Sequence, residues 1–347
     1  MVKLIDRVLI VGLGSIGKRH LRLARGLMPY ADIRVLRHQN KNEVPEYSNG
    51  SFTNLDEAVA FKPQIAVIAS PASFHVATSQ SLAENGVHLL VEKPLSNSFS
   101  GVARLLETCR DKDLALLTGY NLRFLPSLQR YRDLLGERII GNILSVRCEI
   151  GQYLPTWRPD TDYRASVSAR SEMGGGVLLE LSHELDYLRW IFGEVEWVKA
   201  TLSQQSELEI NVEDSAHLTL GFQPKANKRQ LVAQLNLDFI RHDTTRTCTA
   251  IGEKGTLRWN GLNGDVSFYS AGSNEWIELF SHMHHRDESF QAEWKHFMEC
   301  VMQHKKALVT GEDGLKVLEI IEAARSSDAS GGQSCKVSSI PIMSISQ

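Results

Sequence analysis

The sequence lacks any pair of cysteines at ligand or redox spacing. Its five cysteines, Cys109, Cys148, Cys248, Cys300 and Cys335, are far apart and odd in number. That argues against a disulfide framework and a zinc ribbon, and it fits a reducing, cytoplasmic setting. No run approaches the ~20 apolar residues of a spanning helix, so no membrane partner is expected. The apolar stretch Val8–Val11 runs straight into a glycine turn, too short for a signal-peptide core. Charge of one sign is missing as well. Lys and Arg number 38 against 41 Asp and Glu, for a net charge of -3, which leaves no basic field for nucleic acid. G-x-S-x-G, H-E-x-x-H and Walker patterns are absent, so hydrolase and kinase readings have no support. His282-Met283-His284-His285 has no acidic or cysteine partner at ligand spacing and reads as loop histidines, with no metal expected.

What is present is organised in two styles. At roughly 100–200 residues per domain, 347 residues suggest two. The first third alternates strands and helices. Strands are expected at Arg7–Val11, Ile33–Leu36, Gln64–Ala69, Val87–Val91 and Leu114–Leu117. Helices are expected at Ile16–Leu27, after Asn54 (a cap, with Glu57 three residues on), at Phe74–Asn85 and at Phe99–Lys112. Near-continuous apolar strands in β-α-β order mean a buried parallel sheet. After Tyr120 the pattern changes to two-faced alternation, as in Asn142–Gly151, Ser215–Phe222, Leu231–Phe239 and Trp276–Phe280. Gly252–Gly255 reads as a hairpin turn. Helices are expected at Gly176–Phe192, Phe290–Gln303 and Gly314–Ser326, and a polar surface connection at Ser326–Ser339. The expected fold is therefore an α/β Rossmann domain with a doubly wound parallel sheet over residues 1–120. An α+β domain with a large, mostly antiparallel open sheet follows over 121–347. The alternating Leu, Ala and Phe of Leu231–Phe239 suggest an outer face in need of cover, hence a homodimer or homotetramer.

Gly12-Leu13-Gly14-Ser15-Ile16-Gly17 forms G-x-G-x-x-G between a strand and a helix. Gly12 makes the tight turn, Gly14 lets backbone N–H groups approach a pyrophosphate, and Gly17 allows helix and strand to pack. The helix N-terminus adds N–H donors and partial positive charge. NAD binders commonly carry Asp or Glu at the end of the second strand. Here Arg37 and His38 stand there, with Lys41 nearby and no carboxylate before Glu43. Arg37 can fork onto a 2′-phosphate, so NADP is favoured over NAD. The bland alternative is a solvated basic turn.

Four stretches carry a family resemblance. They are Ser70-Pro71-Ala72-Ser73-Phe74-His75; Gly86–Leu95 with Glu92-Lys93-Pro94; Gly119–Phe124; and Gly174-Gly175-Gly176 followed by His183 and Asp186. In order, and over most of the chain, these resemble the Gfo/Idh/MocA family of oxidoreductases, which includes glucose–fructose oxidoreductase and inositol dehydrogenase. The resemblance implies a dehydrogenase acting on a ring hydroxyl or ketone of a sugar, cyclitol or nucleotide-sugar. It places Ser70, Pro71, His75, Glu92, Lys93 and Asn121 at the cofactor, and it gives Lys93 the task of positioning substrate and cofactor. The residues agree with this. Lys93 closes an apolar strand, where doubly wound sheets bind ligands, and a lysine can hydrogen-bond a substrate hydroxyl.

Oxidising an alcohol also needs a base, and histidine suits proton transfer near neutral pH. His183 is expected on a helix whose Leu178, Leu181, Leu185 and Leu188 face the core, with Glu180, Glu184 and Tyr187 on its other side. The family helix carries D-x-x-x-H-x-x-D. Here Leu179 stands four residues before His183, and the nearest acid is Glu180. Glu180 either replaces that Asp or marks a changed base, and Asp186 is the other acid expected to orient His183. Asn121, Arg123, Trp157, Arg158, Tyr163 and Arg164 are candidates for substrate contacts, the arginines for an anionic group. Solvated loop arginines are the plain alternative. A different class also remains open: a non-catalytic, dinucleotide-binding regulator on the same fold.

Overall fold

The computed structural model describes residues 5–38, 44–224, 229–272 and 275–338; Lys41, Glu43 and Ser339 lie outside them. The chain forms two compact units.

In the first unit, β1 (Arg7–Val11), β2 (Asp32–Leu36), β3 (Gly50–Phe52), β4 (Ile65–Ile68), β5 (His88–Glu92) and β6 (Leu116–Gly119) form a sheet in the order β3-β2-β1-β4-β5-β6. Every pairing is parallel. The central strands are shielded on both faces, with Val8, Leu9, Ile10, Ile65, Val67, Leu89 and Leu90 all fully buried. That is why they read as unbroken apolar runs rather than alternation. Helices α1 (Ser15–Leu27), α2 (Leu55–Ala60), α3 (His75–Glu84) and α4 (Val102–Asp111) connect the strands. Asn54 caps α2 as expected, accepting the Asp56 N–H at 2.7 Å. The strand order reverses beside β1 and β4, the place where such sheets bind ligands.

The second unit begins with α5 (Pro126–Gly136), which the sequence reading missed. Its signals are Pro126 at the start and a buried stripe of Leu128, Tyr131, Leu134 and Leu135. There follow β7 (Ile143–Gly151), α6 (Val177–Glu180), α7 (His183–Phe192), β8 (Val195–Ser203), β9 (Ser215–Phe222), β10 (Val232–Asp238), β11 (Thr245–Gly252), β12 (Gly255–Asn260), β13 (Asp265–Ser270), β14 (Trp276–Ser281) and, near the end, β15 (Cys335–Lys336). Their sheet runs β14-β13-β12-β11-β7-β10-β9-β8-β15. It is antiparallel except for β7 with β10.

Three expectations need correction. Residues 121–347 do not form one body. Phe290–Leu318, which holds most of α8 (Glu288–Gln303) and the start of α9 (Gly311–Ala329), belongs with the first unit. The reason is packing: Trp294, Phe297 and Cys300 of α8 are buried in the core built on Val8, Ile10, Val67 and Leu90. Secondly, Gly176–Phe192 is not one helix. It breaks at Leu181–Ser182, where the buried Ser182 hydroxyl donates to the Leu179 carbonyl at 2.9 Å, a local bond that competes with helix continuation. Thirdly, the apolar side of β10 needs no outside cover. Ala233, Leu235, Leu237 and Phe239 are already fully buried within the unit, and Gln234 and Asn236 are the outward residues. The physical reason for expecting assembly through that face is therefore gone.

Candidate active site

The glycine turn divides its work between chain and ligand. Gly12 has φ +89°, and a Cβ there would lie 2.6 Å from the Ala69 carbonyl oxygen. A Cβ on Gly17 would collide with the Gly12 carbonyl. Both glycines are thus required by the chain itself. Gly14 is not: a Cβ there meets nothing within 4 Å. Gly14 is the N-cap residue of α1, no side chain caps that helix end, and no acid stands in its first turn. The N–H groups and dipole of α1 are thereby left for an anion, which fits a dinucleotide pyrophosphate. Ser15 and Ile16 open the helix, and Leu13 and Ile16 pack on the core. At the neighbouring strand end the Ser70 hydroxyl is buried without a protein partner among the described residues, a second group suited to a bound cofactor. Arg37 follows β2 directly, and its N–H donates to the Phe52 carbonyl at 3.0 Å.

His75 and Glu92, both expected at the cofactor, also have partners within the protein. The buried His75 ring bridges the Ser70 carbonyl (Nε2, 2.8 Å) and the Pro94 carbonyl (Nδ1, 3.0 Å). It therefore packs between the loop that contains Pro71 and the loop after β5, and a neutral ring donates to one of these carbonyls at a time. Burial holds its pKa below the ordinary value despite these carbonyls, which favour the charged ring. Glu92 is buried at the end of β5, with Oε1 2.7 Å from His20 Nε2 and Oε2 accepting the Lys93 N–H at 3.1 Å. Burial works to raise its pKa, but the His20 hydrogen bond and the positive charge of Lys93 hold it below the ordinary value. Lys93 itself is half-buried and precedes Pro94 across a cis peptide bond.

In the second unit the substrate candidates fall into two groups. Trp157, Arg158 and Tyr163 line one small cleft with Leu154, Thr161 and Ser168. Ser168 donates to Glu180 Oε2 at 3.0 Å, so Glu180 is anchored to the same loop. Arg158 is exposed there. Arg164 is held by Asp162 (2.9 Å) and Glu209 (3.2 Å), which neutralise its charge locally. His183 is the first residue of α7, while Glu180 is the last of α6, so the two do not share one helix face.

Arg123, expected as a substrate contact, is paired inside the protein. It is buried and forks onto Asp186, with Nε to Oδ2 at 2.8 Å and Nη2 to Oδ1 at 2.6 Å. Trp190 lies beside the guanidinium, 5.6 Å from ring centre to Cζ. Asp186 thus accepts the Arg123 fork with both carboxylate oxygens. Asn121 is likewise buried and donates to Ser289 Oγ at 2.8 Å. Glu184, placed by periodicity on the polar side of α7, is fully buried and accepts from Arg246 Nε at 2.8 Å. Among the described residues no three His, Cys, Asp or Glu gather as metal ligands, and His282 meets Glu288 at 2.8 Å.

Sequence reasoning missed His20, Glu293 and Trp294. A signal existed for His20: it lies three residues after Gly17, within the buried stripe of Gly17, Leu21 and Ala24 on α1. A polar residue in such a stripe requires a buried partner.

A doubly wound sheet with an uncapped glycine turn, followed in the chain by a large open sheet, defines a dinucleotide-binding α/β protein. The chain belongs to the Gfo/Idh/MocA oxidoreductase family: the model of its NAD-binding Rossmann fold matches residues 7–120, and that of its C-terminal alpha/beta domain matches residues 132–337. Among curated relatives, the uncharacterized oxidoreductase sll0816 of Synechocystis is 29% identical over 60% of this chain and 57% of its own length. The myo-inositol 2-dehydrogenase of Thermotoga maritima is 25% identical over 92% of this chain and 96% of its own. A solved structure of levoglucosan dehydrogenase in complex with NADH and levoglucosan has the same fold, with a TM-score of 0.81 at 21% identity. It covers 96% of this chain and 100% of the other. The chain is thus an NAD-binding oxidoreductase, and the named relatives include dehydrogenases acting on CH–OH groups. No helix among the described residues is long and apolar enough to cross a membrane.

Proposed function

We propose that the protein moves hydride between a nicotinamide cofactor and a ring hydroxyl or ketone of a sugar, cyclitol or nucleotide-sugar. The observation that carries this reading is the pairing of the open glycine turn at Gly14 with Lys93 at the end of β5, within one sheet. The turn and the N-terminus of α1 bind the pyrophosphate. The nicotinamide, when bound, accepts or supplies the hydride. Lys93 donates a hydrogen bond to the reacting oxygen and orients it. His183 takes the hydroxyl proton during oxidation. Glu180, tied to Ser168, anchors the loop of Trp157, Arg158 and Tyr163, the candidate substrate contacts. Relatives named as myo-inositol 2-dehydrogenase and levoglucosan dehydrogenase support the substrate class.

The test is formation of NADH or NADPH from a panel of myo-inositol, levoglucosan, D-xylose and UDP-sugars. Lys93→Met is expected to lower kcat by at least about 100-fold on whichever compound is oxidised, the lower end of the range for general acid–base catalysis. Binding of reduced cofactor without turnover on any of them would favour the regulator reading instead. For the cofactor we propose a preference for NADP(H) over NAD(H), supported by Arg37 standing where NAD binders carry a carboxylate. Thermal-shift titrations compare the two, and equal stabilisation by NADH and NADPH would remove the case for Arg37.

A further inference from the structure

We propose that Trp294, His20 and Glu92 form a buried hydrogen-bonded chain whose role is to position Lys93 for catalysis. This rests on the reading of Lys93 given above. The starting point is tautomer chemistry. The Trp294 indole Nε1–H points at His20 Nδ1 across 2.9 Å. Indole nitrogen only donates, so Nδ1 must be an acceptor, and the ring carries its proton on Nε2. That proton faces Glu92 Oε1 at 2.7 Å. The other carboxylate oxygen accepts the main-chain N–H of Lys93 at 3.1 Å. Accepting at both oxygens suits the ionised carboxylate, and charge-assisted bonds are the stronger kind. The chain therefore runs from α8 through α1 and the end of β5 to the backbone of Lys93.

The groups around it leave the carboxylate one position. On β6, Gly119 has no side chain, and a Cβ there would lie 3.1 Å from Glu92 Oε2 and from its Cα. From α3, His75 Nδ1 lies 3.0 Å from the Pro94 carbonyl, on the other side of Lys93. From α8, Glu293 is fully buried near Glu92, and neither of its carboxyl oxygens has a hydrogen-bond partner among the described residues. Burial, with the Glu92 charge added, pushes its pKa well above the ordinary value, so it stands neutral where a second anion would repel the first. His20 and Trp294 are both fully buried. Their hydrogen bonds serve the lysine loop.

The test compares His20→Leu with His20→Gln in full-length protein loaded with NAD. Glutamine offers an acceptor and a donor side by side, as the neutral ring does, and cannot titrate; leucine offers neither. In 1H–15N spectra, His20→Leu is expected to shift the Trp294 indole resonance and to speed exchange of the Lys93 amide, while His20→Gln keeps both close to wild type. On the alcohol oxidised in the panel above, His20→Leu should lower kcat by about 10- to 100-fold, the cost of a misplaced reacting group, with the Kd for NAD within about twofold. His20→Gln should restore kcat to within about threefold. Equal loss in both variants, or an unchanged Lys93 amide in His20→Leu, overturns the proposal. If His20→Leu does not fold, Trp294→Phe cuts the first link while keeping an aromatic ring, and it is expected to move the Lys93 amide in the same sense; no movement overturns the proposal. An active Lys93→Met would sink the reading of Lys93 and this proposal together. An inactive Lys93→Met with a fully active His20→Leu would sink the chain alone.

Discussion

At the scale of single residues, the glycine fingerprint shows how one motif mixes two kinds of requirement. Gly12 and Gly17 are glycine because neighbouring backbone occupies the space of a side chain, whereas Gly14 is glycine with open space before it. Gly12→Ala should therefore damage the fold itself, combining a φ of +89° with a 2.6 Å clash against the Ala69 carbonyl. Gly14→Ala should leave the unfolding free energy of the ligand-free protein within the usual range of a surface change, about 0.5 kcal/mol, while weakening NADH binding at least about tenfold. Calorimetry and a fluorescence titration on the two variants check this. A Gly14→Ala protein that binds NADH as wild type does would mean that the pyrophosphate does not approach there. The motif was legible in the sequence, but this division was not, because it depends on the end of β4 lying beside Gly12. Arg123 is the opposite case. As a sequence letter it suits an anionic substrate, yet its planar fork also suits a buried carboxylate, and only three-dimensional packing brings Asp186, 63 positions away, against it.

At the scale of elements, apolar periodicity located the strands of the first sheet and most helices, since burial on both faces or on one stripe leaves a direct trace. It failed where local hydrogen bonding overrode it, as at Ser182, and where a helix is buried all round. On α7 both the leucines and the polar residues Glu184, Asp186 and Tyr187 are buried, so alternation between faces carried no information. Helix α8 has a comparable hidden feature in Glu293. An acid whose pKa is raised in the native state keeps its proton there after the unfolded chain has lost it. Unfolding then releases protons, and stability falls as pH rises above the ordinary glutamate value. Its neighbour Glu92 has the opposite sign: the stability it contributes is present above that ordinary value and is lost as pH falls through its lowered native pKa. Glu293→Gln removes only the first effect. The variant should match wild type near pH 5 and become the more stable protein toward pH 8, by at most about 1.4 kcal/mol for each pH unit. Denaturant melts at the two pH values measure this, and a constant difference between them would show that Glu293 is ionised in the native protein.

At the scale of the whole molecule, the unit that holds the glycine turn is not a contiguous stretch of sequence. It takes residues up to Tyr120 and then Phe290–Leu318. A domain boundary read from a change of pattern at Tyr120 finds where the parallel sheet ends, but it has no means of finding a helix that returns after some 170 residues to complete the same core. The returning segment is substantial. Trp294 and Phe297 are fully buried, and truncating aromatics of this kind costs about 3–5 kcal/mol each, against a total stability of about 5–15 kcal/mol for a typical domain. It also supplies Glu293 and the indole that closes on His20. A fragment of residues 1–120 should therefore lack a cooperative thermal transition and bind NADH poorly, despite containing the entire fingerprint. The same fragment with residues 290–318 fused through a flexible linker should regain both. If residues 1–120 alone melt cooperatively and bind NADH with the affinity of the full chain, α8 is an accessory to this unit, and the contiguous domain of the sequence reading is the correct one.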